Sequence, residues 1–224
     1  MEINRKFRAP RIWSNDELRK FAHLFEGDVI NVSGWKDEDK QGSSYKNYFV
    51  KSKSYTISNY KSEARGFQGN DGEIYLDLEK ELPIELHNKF DVVFNHTTLE
   101  HIYHVNTAIK NLCQLSKDAI VLVVPFLQEM HGEYGDYWRF TPSAIIRMLS
   151  DNGFSAHYLS FNKEPLTSVY VFCIAFRDSD KWNDRIEKNI QSGLDLSNRK
   201  EGIIGFNAHG ELSQSKKKRK FGLF

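Results

Sequence analysis

The apolar positions along the chain come in two patterns. Short, nearly continuous apolar runs recur at Asp28–Val32, Tyr55–Ser58, Glu73–Leu76, Phe90–Phe94, Ala119–Phe126, Phe154–Phe161 and Val169–Phe176. A run without alternation suits a strand covered on both faces, as in a parallel sheet held between layers of helices. The second pattern is helical. Leu18, Phe21, Ala22 and Phe25 follow Ser14-Asn15-Asp16-Glu17, which has the form of a capping box, and predict a helix over about residues 15–26 closed by Gly27. Val105, Ala108, Ile109, Leu112 and Leu115 predict an amphipathic helix. Thr141-Pro142 opens a third helix carrying Ile145, Ile146 and Leu149, with Gly153 beyond its end. Residues 35–54 lack an apolar stripe and read as a loop with one helical turn near Tyr45–Phe49; KWNDRIEKNIQSGL, near the end, reads as a surface helix.

Apolar runs separated by helical patterns predict an α/β fold with a parallel sheet, and the last two runs, adjacent in sequence, predict an antiparallel pair closing it. The expectation is one domain over residues 1–177, with seven strands, and a polar extension over 178–224. Its length of 224 residues suits one sizeable core. The longest apolar run, Ala119–Phe126, is far too short to span a membrane, and MEINRKFRAPR lacks the pattern of a secretory signal. Cys113 and Cys173 fall in a predicted helix and a predicted strand and read as core residues, so a reducing, cytoplasmic setting is expected. The formal net charge of +1 divides into +3 for residues 1–11, −7 for 12–215 and +5 for Lys216–Lys220. An acidic body excludes a nucleic-acid surface there; the basic tail is suited to anionic surfaces or to simple solvation.

The chemistry gathers where the run at Phe90–Phe94 ends in Asn95, His96, Thr97 and Thr98, followed by Glu100, His101 and His104. In open α/β sheets ligands sit outside the carboxyl ends of the strands. Glu100-His101 has two readings, a base for an acceptor hydroxyl or a brace for the helix that follows. The next strand leads into a loop with His131, Glu133, Tyr134, Asp136, Tyr137, Trp138 and Arg139, where rings can stack on a sugar and His131 can take a proton; an Asp136–Arg139 ion pair with Trp138 as an anchor is the structural counterpart. His96, His101, His104 and His131 with Glu100 and Asp136 could ligate a metal for hydrolysis, but no fixed-spacing metal motif is present and no metal site is assigned.

Taken together, VINVSGW, YTISNY, Leu76-Asp77-Leu78, FDVVFNHTTLEH, VVPF and H-x4-DYWRFTP resemble the class I S-adenosylmethionine-dependent methyltransferases, in particular type 11-like members found among surface-polysaccharide and sugar-modification genes. The likeness covers about residues 28–176. It implies a Rossmann-like seven-stranded sheet flanked by helices, S-adenosylmethionine as cofactor, and methyl transfer to a small-molecule or saccharide acceptor. Position by position, it implies that Ser33, Gly34, Asn59, Asp77, Leu78, Asn95 and His96 line the cofactor, and that His131, Asp136 and Arg139 serve the acceptor. The chain departs from the pattern twice: one glycine, Gly34, remains in the turn after the first strand, and Ser58-Asn59 stand where a ribose-binding carboxylate is expected. Those departures keep open a second reading, a methyltransferase-like binding or scaffold protein without catalysis.

Overall fold

In the computed structural model, residues 9–61, 66–131, 135–162 and 168–191 are described. The sheet is built from β1 (Gly27–Val32), β2 (Ser52–Asn59), β3 (Glu73–Tyr75), β4 (Phe90–His96), β5 (Ser116–Leu127), β6 (Ser155–Phe161), β7 (Val169–Phe176) and β8 (Asn189–Ile190). Their spatial order is β3-β2-β1-β4-β5-β7-β6-β8. The strands from β3 to β5 run parallel, and β7 is antiparallel to both β5 and β6. The helices are α1 (Ala9–Ala22), α2 (Val105–Leu115) and α3 (Pro142–Ser150).

Alternate residues of the central strands feed two cores, as a sheet covered on both faces requires. Ile120, Leu122 and Val124 of β5 join α2, α3 and the Leu76–Leu86 connection on one face. Ala119, Val121 and Val123 join Leu18, Ala22 and Phe25, together with Tyr45, Tyr48 and Phe49, on the other. Among the described residues the β1–β2 connection contains no α-helix, only the short 3-10 turn Tyr45–Tyr48, whose rings do the covering.

The sheet has eight strands where seven are expected. Trp182 and Ile186, four residues apart, turn into the core, and Trp182 stacks on Phe176 with centroids 4.4 Å apart. The chain is thereby laid along the outer edge of β6, where Asn189 and Ile190 pair in parallel with Tyr158 and Leu159. Of the expected surface helix over 181–194, residues 192–194 lie outside the described residues; up to residue 191 a 3-10 turn (Ser179–Trp182) and an edge strand stand in its place, and the sheet draws on residues beyond 177. α1 also differs: it spans Ala9–Ala22, so Ser14 and Glu17 lie inside it rather than at its cap. Both side chains are engaged elsewhere, Ser14 Oγ with His96 Nε2 at 2.8 Å and Glu17 with the hydroxyls of Tyr158 and Ser160. The basic run Lys216–Lys220 lies outside the described residues.

Candidate active site

The strand order reverses between β1 and β4: the chain leaves β1 toward β2 and β3 and returns to pair β4 with β1. The crevice at such a point, at the carboxyl ends of the strands, is where α/β sheets take ligands. Three groups of residues meet there.

The first is the turn after β1. Ser33 N–H donates to Ser58 Oγ (3.4 Å), Gly34 N–H to Ser58 O (3.2 Å) and Trp35 N–H to Asn59 Oδ1 (2.7 Å). Asn59 is buried and donates from Nδ2 to Trp35 O (3.1 Å) and to Glu73 Oε1 (2.6 Å). Burial works to raise the Glu73 pKa, but hydrogen bonds from Asn59 and from the backbone of Asn70 and Gln68 outweigh it and hold the carboxyl below its usual range. Gly34 is glycine for a local reason, since a Cβ there would lie 2.6 Å from Asn31 Nδ2. Asn31 in turn donates to buried Asp37 Oδ1 at 2.6 Å. Ser33, Trp35 and Asp37 take left-handed φ values of 58°, 49° and 59°, conformations that persist because these bonds over-determine the turn. The residues expected to grip the cofactor here thus grip one another.

The second group lines the β3–β4 side. Asp77 Oδ1 accepts from Glu79 N–H (2.9 Å), while Oδ2 has no hydrogen-bond partner among the described residues. Leu78 is buried beneath it and its carbonyl takes Asn111 Nδ2. Asn95, fully buried, donates across the sheet to Val32 O at 2.9 Å, leaving Oδ1 without a partner among the described residues. His96 is spoken for at both ring nitrogens, by Ser14 Oγ and by Thr97 Oγ1. Its packed surroundings, and then the Arg11 guanidinium, hold its pKa well below the usual imidazole value, so it is neutral. Arg11 reaches over the end of β4 from α1, donating to Tyr45 Oη (2.9 Å) and Thr97 Oγ1 (3.0 Å).

The third group belongs to the loops after β4 and β5. Glu100 is 1% exposed, its Oε2 has no hydrogen-bond partner among the described residues, and burial pushes its pKa up to about 8. Its backbone carbonyl accepts from Tyr137 N–H (2.8 Å) and Trp138 N–H (3.3 Å), tying the two loops together. His101 Nδ1 donates to Gly135 O at 2.5 Å. Side-chain ligand atoms of Glu100, His101 and His131 all lie within 4.8 Å of one another. Asp136, with a side chain 4% exposed, forms a two-pronged ion pair with Arg139 at 2.5 and 2.7 Å. The remaining Arg139 donors go to the carbonyls of Gln128, Trp138 and Glu129, so all five are used. Hydrogen bonding from Arg139 drives the Asp136 pKa down to about 2. This pair is a clamp on the loop. Glu133 and Tyr134 lie outside the described residues.

Arg11 and, in part, Glu100 are what sequence reading misses. Arg11 counts there only as one charge of a basic terminus, although it stands three to four residues before Ser14, Asn15 and, one turn on, Leu18, the inward face of α1. Glu100 reads as readily as a brace. The type of residue gives no sign that one carboxylate oxygen is left without a partner.

The chain has the class I methyltransferase fold. A protein of Bacillus halodurans C-125 described as a methyltransferase matches with a TM-score of 0.55 at 14% identity, over 72% of this chain and 97% of that one. The magnesium protoporphyrin IX methyltransferase of Synechocystis PCC 6803, solved with bound S-adenosylmethionine, matches with 0.53 at 14% identity, over 80% and 86%. The 1,6-didemethyltoxoflavin-N1-methyltransferase of Burkholderia thailandensis, solved with bound 1,6-didemethyltoxoflavin and S-adenosylhomocysteine, matches with a TM-score of 0.50 at 13% identity, over 74% and 80%. No protein-family model and no curated relative matches the sequence.

Proposed function

We propose that the protein transfers a methyl group from S-adenosylmethionine to a small-molecule or saccharide acceptor. Two buried oxygens without partners among the described residues carry this reading, Asn95 Oδ1 in β4 and Glu100 Oε2 in the turn just after it, where the sheet order reverses. An unsatisfied buried polar group costs about 1–3 kcal/mol and persists where a ligand completes it. The likeness in fold to proteins that hold S-adenosylmethionine or its product supports the choice of ligand.

The residues fit that cofactor on one side of the crevice. Asp77 Oδ2 is an open acceptor suited to an adenine amino group, Leu78 offers the apolar wall beneath, and Asn95 Oδ1 is an open acceptor beside them. Ser33, Gly34 and Asn59 would contribute shape rather than hydrogen bonds, and His96 a fixed, neutral ring. Bound there, the cofactor supplies an electrophilic methyl group on sulfur. An acceptor oxygen or nitrogen taking that methyl group would lose a proton toward Glu100, His101 and His131, which stand together beside the crevice. In-line positioning accounts for most of such catalysis, and the Asp136–Arg139 clamp supplies it by fixing the loop that bears His131. Exposed Tyr103, Tyr137 and Trp138 on the same loops present ring faces to a sugar or another flat acceptor. A role in surface-polysaccharide biosynthesis is consistent with that platform.

The second reading, a methyltransferase-like binding protein without cofactor, is favoured by one observation: Asn59 spends both of its amide donors within the protein. Calorimetric titration with S-adenosylhomocysteine decides between them. Methyl transfer predicts binding of one equivalent, weakened about tenfold or more by Asp77→Ala, as expected for one lost hydrogen bond to a ligand. Neither heat nor a thermal shift at millimolar ligand leaves the second reading.

A further inference from the structure

We propose that Glu100, His101 and His131 form a binding site for one divalent transition-metal ion of the zinc class. The claim goes beyond the methyl-transfer reading and stands or falls separately from it. Two imidazoles and a carboxylate are a donor set used for zinc, whereas magnesium and calcium favour oxygen-only surroundings.

The geometry is close to what the ion needs. Tetrahedral bonds of about 2.0–2.1 Å place ligand atoms roughly 3.4 Å apart. Glu100 Oε1 and His101 Nε2 are already 3.8 Å apart. The three donor atoms span at most 4.8 Å, so closure around an ion asks for about an ångström of side-chain movement. The His131 side chain, 31% exposed on its loop, is placed to provide it. The Glu100 carboxylate is the independent sign of a missing partner: the residue is 1% exposed, it faces the two rings, and its Oε2 is unpaired among the described residues. His131 Nδ1 is likewise buried without a hydrogen bond.

The surroundings hold the rings as metal-bound histidines are held. Because His101 donates from Nδ1 to Gly135 O, its lone pair is on Nε2, the nitrogen that faces Glu100. The Gly135 carbonyl is itself fixed, since φ is +92° and a Cβ would come within 2.7 Å of the Tyr137 ring. On the other ligand, Asp136 Oδ2 accepts from the His131 backbone N–H at 2.8 Å and lies 3.6 Å from Nδ1. The loops are joined through backbone bonds to Glu100 O, so the frame does not depend on the three donor side chains. An ion there would have at least one position open toward the acceptor side, where it could draw an acceptor oxygen in and favour loss of that oxygen's proton to water.

The test uses the full chain stripped with chelator, titrated calorimetrically with Zn2+ alone and, separately, with Mg2+. The expected result is one Zn2+ bound with micromolar affinity or tighter, a rise in melting temperature, and no Mg2+ binding. His131→Ala and Glu100→Gln should each weaken Zn2+ binding at least a hundredfold. Absence of Zn2+ binding by the unaltered protein, or affinity unchanged in His131→Ala, overturns the site. If Glu100→Gln does not fold, His131→Ala decides alone, because its ring is partly exposed and its removal leaves the frame intact. S-adenosylhomocysteine binding is measured on the same stripped protein. Retained cofactor binding without zinc removes the metal and keeps methyl transfer, and the reverse result does the opposite.

Discussion

The two ends of the crevice use polar residues in opposite ways. At the carboxyl ends of β1 and β2, Ser33, Gly34, Trp35, Ser58, Asn59 and Glu73 close on one another. At the ends of β4 and β5, Asn95 and Glu100 are as deeply buried, yet each leaves an oxygen without a partner among the described residues. The first arrangement is what stability alone produces. The second costs stability, and it is the arrangement that a ligand would complete under the proposed function. Burial and residue type are similar at the two ends, so only the count of satisfied hydrogen bonds separates scaffold from site.

The contrast can be broken most forcefully at the clamp. Asp136→Ala leaves a mostly buried guanidinium without its carboxylate and should cost about 3 kcal/mol in urea unfolding; a loss under about 1 kcal/mol would mean that the pair is not structural. Asn59→Ala removes three hydrogen bonds from a buried turn, for a loss of roughly 2 kcal/mol. Were Asn59 a cofactor contact instead, stability would hold and only affinity would fall.

A smaller effect belongs to Asp39, in the connection that closes the β1 side. Burial works to raise its pKa, but the Tyr48 hydroxyl, the backbone N–H groups of Gln41 and Ser43, and Arg19 outweigh it and lower the value. A carboxyl whose folded pKa is depressed adds stability above its unfolded pKa, near 4, and that stability is lost as pH falls through the folded value. Acid unfolding followed by circular dichroism should therefore be shallower below about pH 4 in Asp39→Asn. An unchanged profile would contradict this assignment. The smallest change is expected at the open end: in metal-free protein, Glu100→Gln replaces an orphaned carboxyl with a neutral amide and should shift stability by about 1 kcal/mol or less. A larger loss would make Glu100 a brace.

Much of the fold is legible in the sequence because the strands of a doubly covered sheet are continuous apolar runs. β4, β5, β6 and β7, with α2 and α3, fall where the apolar spacing puts them. β8 is invisible in advance because two residues laid along an edge carry no periodicity, and what places them is Trp182 stacking on Phe176. α1 begins before its apolar stripe because Arg11, Ser14 and Asn15 turn polar side chains inward to meet Thr97, His96 and Tyr45. The polar residues crowding after Phe94 in the sequence are the ones that the structure gathers at the candidate site, with His131 from the next loop. Which of those residues are spent is a matter of tertiary partners. Asn59 and Arg139 look available in the sequence and are fully bonded in the structure, while Glu100, which has two readings in the sequence, leaves one carboxylate oxygen without a partner among the described residues.

Hydrogen–deuterium exchange with and without saturating S-adenosylhomocysteine tests the contrast most directly. The account predicts that residues 33–36 exchange slowly in the free protein and do not change, while backbone amides of residues 76–80 and 95–101 become protected on binding. Fast exchange at 33–36 that slows with ligand, with no change at 95–101, would place the functional end of the crevice at β1 and contradict it.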